Sequence, residues 1–122
     1  MRRAAQAGWG LLIALLLYLP FAQARDQHVH PLAVVSVVQL PSEARDTLQL
    51  IQRGGPFPYA RDGIVFKNRE RILPLQARNY YREYTVKTPG VSHRGARRIV
   101  CGVVPECYYT ADHYRSFKRI KE

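Results

Sequence analysis

The stretch Pro41-Ser42-Glu43-Ala44-Arg45-Asp46-Thr47-Leu48-Gln49-Leu50-Ile51, closed by Gly54-Gly55-Pro56, decides the fold class. Pro41 and Glu43 suit a helix start, where a missing N–H costs little and a carboxylate meets the positive end of the backbone dipole. Ala44, Leu48 and Ile51 recur on one stripe, and the Gly-Gly-Pro run ends the helix. From Phe57 onward the turn signals Asp62-Gly63, Pro89-Gly90 and Arg94-Gly95 punctuate runs rich in Val, Ile, Tyr and Thr, which read as antiparallel strands. A helix followed by strands is an α+β arrangement: one main N-terminal helix packed on a twisted antiparallel β-sheet.

Upstream of the helix, Leu32-Ala33-Val34-Val35-Ser36-Val37-Val38 is β-branched and reads as a short strand packed against the core. The polar residues 25–31, with His28 and His30, read as a loose terminus, so that 25–39 is expected to be a partly flexible N-terminal segment. Before it, Arg2 and Arg3 precede the apolar run Leu11 to Leu19, then Pro20 and Ala22-Gln23-Ala24. That is the pattern of a secretory signal peptide over residues 1–24, with cleavage after Ala24. The competing reading is an uncleaved membrane anchor, but the apolar run is shorter than the ~20 residues that span a bilayer, so cleavage is favoured, with no stable membrane association afterwards. The remaining 98 residues (122 − 24) suffice for a single domain, 25–122.

The chain carries 19 Lys and Arg against nine Asp and Glu, a net charge of +10. Cleavage removes only Arg2 and Arg3, leaving +8 (17 − 9). Such a charge favours polyanions, because phosphate contacts release condensed counterions and positive potential speeds encounter. RNA, DNA, an anionic membrane or a merely solvated basic surface all satisfy it. The two cysteines, Cys101 and Cys107, are even in number in an exported chain, which points to a disulfide across a hairpin. The competing reading, a metal held by both with His113, lacks any usual zinc spacing.

The chemistry-bearing residues cluster towards the C-terminal end: Glu83 within Tyr80-Tyr81-Arg82-Glu83-Tyr84-Thr85-Val86, Arg94 and Arg98 within His93-Arg94-Gly95-Ala96-Arg97-Arg98, and His113 after Asp112. Strand alternation puts Glu83 on one face with Tyr81 and Thr85, and puts Arg98 on the face opposite Arg97. A carboxylate that accepts a proton, an imidazole that gives one, and guanidiniums that cannot lose their charge are what metal-free cleavage of an RNA phosphodiester requires. Each residue alone also fits a plain surface role. His93, in Ser92-His93-Arg94-Gly95, reads as an exposed turn, and Tyr80, Tyr81, Tyr84, Tyr108 and Tyr109 as sheet packing.

Together with Phe57-Pro58-Tyr59-Ala60-Arg61-Asp62-Gly63-Ile64-Val65-Phe66-Lys67-Asn68-Arg69-Glu70, Pro89-Gly90 and Tyr108-Tyr109-Thr110-Ala111-Asp112-His113-Tyr114, these motifs resemble the guanyl-specific microbial ribonucleases, the barnase and streptomycete group. The resemblance runs from about Leu40 to Ile120. It implies the microbial ribonuclease fold, no cofactor and no metal, with single-stranded RNA as substrate. Glu83 then matches the general base, His113 the general acid, and Arg94 and Arg98 the arginines on the reacting phosphate, with Tyr114 beside it. Cleavage 3′ of guanosine would give a 2′,3′-cyclic phosphate and, after hydrolysis, the 3′-phosphate.

Guanine selection falls on Phe66, Lys67, Asn68, Arg69 and Glu70. A carboxylate at Glu70 can accept from guanine N1–H and the N2 amino group, while backbone N–H groups near Asn68 and Arg69 donate to O6. Lys67 departs from the family, whose streptomycete members tend to have glutamine there. The Cys101 and Cys107 pair departs too, and is expected to fix the approach to His113. The leader implies a secreted or periplasmic protein, with a monomer as the default, and the resemblance adds a small acidic inhibitor protein as a partner. Two alternatives stay open: a cationic RNA-binding or antimicrobial protein without activity, and an antibacterial toxin using the same catalysis.

Overall fold

The computed structural model describes residues 31–104 and 106–122; the leader expected over 1–24 and residues 25–30 lie outside the described residues. Strand β1 (Ala33–Ser36) leads through a 3-10 turn (Val37–Gln39) into the helix α1 (Ser42–Arg53). Five strands follow: β2 (Ile64–Phe66), β3 (Tyr81–Thr85), β4 (Arg98–Cys101), β5 (Cys107–Thr110) and β6 (Lys118–Lys121). The sheet runs β1-β6-β5-β4-β3-β2. Its pairs are antiparallel as expected, except that β1 joins β6 in parallel. A parallel neighbour needs a long crossover, and here the whole helix and four strands supply it. Among the described residues no helix is long and apolar enough to cross a membrane.

The helix forms where the apolar stripe predicts it. Ala44, Thr47 and Leu48 are buried, Glu43 sits in the first turn, and Gly54 ends the helix with φ 78°. That left-handed position lets Gly54 N–H and Gly55 N–H return to the carbonyls of Ile51 and Leu50. The Thr47 hydroxyl donates to the Thr85 carbonyl at 3.2 Å, which ties the helix to β3.

The central strands bury both faces, and this positions the site. On the helix side, Ile99 and Tyr109 meet Leu40, Ala44, Leu48 and Ile120, with Tyr84 packed against them. On the other side, Val100 and Tyr108 meet Leu73, Tyr81 and Phe117. Each apolar side chain so buried contributes about 1.5–3 kcal/mol. The register aligns Ile64, Glu83, Val100 and Tyr108 in one row of that second face, and Thr85, Arg98 and Thr110 in the next. The tyrosines assigned to packing are accordingly buried or half-buried among the strands.

Cys101 and Cys107 are bonded to each other, so they are not free to hold a metal. They pair directly across β4 and β5 and lie on the helix side, at the turn end of the hairpin. His113 follows the opposite end of β5, so the bridge pins the register of the hairpin and does not line the approach to the imidazole. Replacing both cysteines with serine should lower stability by about 2–3 kcal/mol, the value for closing a short loop. A lowered denaturation midpoint would show it, and an unshifted midpoint would exclude it.

Candidate active site

Glu83 is a carboxylate in mid-sheet, only 6% exposed, and a buried charge needs partners. Arg94 Nη2 donates to Glu83 Oε1 at 3.3 Å, and the Tyr114 hydroxyl donates to the same oxygen at 2.9 Å. This is the one ion pair among the described residues. Glu83 Oε2 carries no hydrogen bond among them, which leaves it open to a ligand's hydroxyl.

Both partners are themselves fixed. Arg94 Nε donates to the Thr85 hydroxyl at 2.7 Å, and Thr85 projects from the same face two residues after Glu83. The Tyr114 hydroxyl accepts from Arg98 Nε at 3.2 Å while donating to Glu83. Arg98, 2% exposed, also donates from Nη1 to the carbonyls of Gly95 and Arg97 at 2.9 and 2.7 Å. Burial, and next the charge of Glu83, push the Tyr114 phenol above its ordinary value and keep it a donor. Arg98 and Arg97 divide between the faces as alternation requires: the charge of Arg97 acts on Tyr109, on the helix side.

His113 stands beside this group, its ring 4.8 Å from that of Tyr114. Both residues have left-handed backbone, φ 56° and 70°, which side-chain-bearing residues adopt only when the surroundings impose it. Asp112 imposes it. Its carboxylate accepts from Thr110 Oγ1 and Ser116 N at 2.9 Å and from Ser116 Oγ, while His113 N–H donates to the Ala96 carbonyl at 3.1 Å. Asp112 therefore braces the loop and does not serve as a partner of the imidazole, the role adjacency in sequence suggests. His93 is exposed and its Nδ1 accepts from Gly95 N–H, a local turn contact as expected.

The 66–70 segment meets the same place. A cleft of about 340 Å³ is lined by Phe66, Lys67, Asn68, Arg69 and Glu70 together with Glu83 and Tyr114. Asn68, with φ 50°, spends both ends of its amide on Leu73, donating to its carbonyl at 2.9 Å and accepting from its N–H at 3.1 Å. Its side chain thus shapes the loop, with both ends of the amide already engaged. The Phe66 ring is stacked 5.2 Å from that of Tyr114 and also touches Phe117.

The structure adds residues that the motifs did not single out. Arg61 and Phe117 line the cleft, and Thr85 orients Arg94. Thr85 was detectable from its period-2 spacing to Glu83; Arg61 and Phe117 reach the cleft only by folding. Among the described residues, no three His, Cys, Asp or Glu side chains gather where a metal ion could sit.

The ribonuclease family model matches residues 23–121. Guanyl-specific ribonuclease Sa of Kitasatospora aureofaciens is 55% identical over 89 residues, covering 72% of this chain and 93% of that protein. Guanyl-specific ribonuclease Sa3 of the same organism is 62% identical over 82 residues, 66% of this chain, which spans 58% of that relative's length. Among solved structures, ribonuclease Sa2 in complexes with mononucleotides is similar with a TM-score of 0.74 and 52% identity, covering 75% of this chain and 95% of that one. The same ribonuclease has also been solved with guanosine-2′-cyclophosphate.

The hydrogen bonds from Ser116 first, together with that from Thr110, hold the Asp112 carboxyl down at about 2. A depressed carboxylate stabilises its loop fully above the unfolded value near 4 and loses that contribution as pH falls through 2. The Asp112 carboxyl carbon should therefore titrate near pH 2 by NMR, and the Tyr114 amide should move with it. An Asp112 midpoint near 4 would overturn this account of the loop.

Proposed function

The chain belongs to the ribonuclease family, among its guanyl-specific members, and from that premise we propose that it is a metal-independent endoribonuclease cleaving single-stranded RNA 3′ of guanosine. The observation that carries the reading is Glu83, held at one oxygen by Arg94 and Tyr114 and open at the other, in the cleft that the 66–70 segment also lines.

In this reading guanine enters the cleft with Glu70 accepting from N1–H and N2, backbone N–H groups of the Asn68 loop donating to O6, and Phe66 and Arg69 flanking the base. Lys67 adds a positive charge while its backbone N–H keeps the family's role. The ribose 2′-hydroxyl then lies against Glu83 Oε2. Glu83 takes its proton, the 2′-oxygen bonds to phosphorus, and the bond from phosphorus to the 5′-oxygen breaks. His113, protonated, delivers its proton to that departing oxygen. Arg94 and Arg98 stabilise the charge on the phosphate oxygens, and because their guanidiniums are already bonded to the scaffold, little reorganisation accompanies the reaction. Water then opens the 2′,3′-cyclic phosphate with the two proton carriers exchanging roles.

Export fits the leader pattern over 1–24 and the Cys101–Cys107 bridge, and a secreted or periplasmic monomer is the setting we propose. A basic cleft of this kind would also suit a small acidic inhibitor protein.

With a chelator present, RNA should yield guanosine 2′,3′-cyclic phosphate. Glu83→Gln should slow the reaction about 100- to 10,000-fold while RNA binding persists. Folded protein that binds RNA and forms no cyclic product would instead be the inactive binding protein. Separately, Glu70→Gln should reduce the preference for guanosine over adenosine by about 10- to 100-fold, the value of a charge-assisted hydrogen bond. An unaltered preference would remove Glu70 from base selection.

A further inference from the structure

A second cleft, of about 760 Å³, lies on the other side of the 66–69 wall and contains neither Glu83 nor Tyr114. Lys67 and Arg69 line both clefts, but Arg71, Arg78, Leu75 and Tyr80 belong to the second alone. The catalytic reading uses none of these four.

Their chemistry points to a ligand. Among the described residues none of the four cations is in an ion pair, the only such pair being that of Glu83 with Arg94. Glu106, the acid nearest Tyr80, is occupied in accepting from the Tyr80 and Tyr108 hydroxyls at 2.7 and 3.1 Å. Arg71 has φ 56°, a backbone that glycine adopts at less cost, and the turn is held by its N–H donating to the Asn68 carbonyl at 3.0 Å. The turn therefore presents an exposed guanidinium at the mouth of the cleft. Leu75 is 59% exposed beside the half-buried Tyr80, so apolar surface lies among the cations. Guanidiniums alternating with an aromatic ring and an aliphatic side chain match a phosphate followed by a base.

We infer that this cleft is a subsite for the nucleotide on the 5′ side of guanosine, with Arg71 and Arg78 on its phosphate and Tyr80 and Leu75 against its base. The inference rests on the ribonuclease reading. The 3′-phosphate of a guanosine in the first cleft is taken by the Glu83 end, so the strand on its 5′ side leaves across the shared wall of Lys67 and Arg69.

The test compares kcat/KM for GpU, UpGpU and GpUpU. Wild-type protein should cleave UpGpU roughly 10-fold better than GpU, the worth of about one stacked base or one phosphate contact. Arg71→Ala combined with Arg78→Ala should bring that ratio close to one while the ratio of GpUpU to GpU keeps its wild-type value. Arg53→Ala combined with Lys118→Ala, the same loss of charge outside both clefts, should keep the UpGpU ratio. An unchanged UpGpU ratio in the first double variant, an equal loss with the control pair, or a fall in the GpUpU ratio instead would each overturn the 5′ subsite. Failure of wild-type protein to form any cyclic product from GpU would be a different result, overturning the ribonuclease reading itself.

Discussion

A carboxylate can stay ionised in the middle of a packed sheet only if charge and hydroxyl groups replace the water it has lost. Glu83 meets that condition through Arg94 and Tyr114, and the rest of the site is arranged to keep those two in place. Thr85 holds Arg94, Arg98 holds Tyr114, and Arg98 in turn is held by carbonyls of the chain before β4. Removing any one of these groups leaves a buried polar partner unmatched, so they act as a unit. Both donors meet one oxygen, and the second is left without a partner among the described residues.

A site built this way needs a rigid floor and shaped loops. The floor is the β3–β4–β5 strand trio, covered by the helix on one face, while on the other Tyr81, Val100 and Tyr108 pack against Leu73 and Phe117. The loops are held by short polar side chains bonded to nearby backbone. Asp112 braces the His113 turn, Asn68 closes the 66–70 segment onto Leu73, and Asp62 accepts from Tyr59 and Thr85 N–H groups to fasten the turn before β2. Such caps let residues with side chains occupy left-handed backbone, which accounts for the cluster of positive φ values around both loops.

The positive charge is divided by use. Arg94 and Arg98 are drawn inward and bonded, whereas Lys67, Arg69, Arg71 and Arg78 stay exposed around the clefts. Exposed cations are screened and individually weak, but along a polyanion their contacts add through counterion release. In the function proposed, the two inward arginines would hold one phosphate at the reacting centre, and the exposed ones suit the strand on either side of it.

The sequence by itself determined the helix of residues 42–53, the α+β order and the division of Arg97 from Arg98, because each follows from local periodicity of 3.6 or 2. It also supplied Glu83, Arg94, Arg98, His113 and the 66–70 segment as candidates, since their motifs are contiguous. The tertiary structure decided that β1 joins the sheet in parallel beside β6, that Cys101 and Cys107 lie on the face away from Glu83, and that Asp112 braces a loop. It alone assigned Thr85 and Tyr114 as supports of the buried carboxylate, and opened a second cleft beyond Phe66. Strand pairing over long separations and the hydrogen bonds of buried groups depend on which surfaces meet, and no local pattern encodes that.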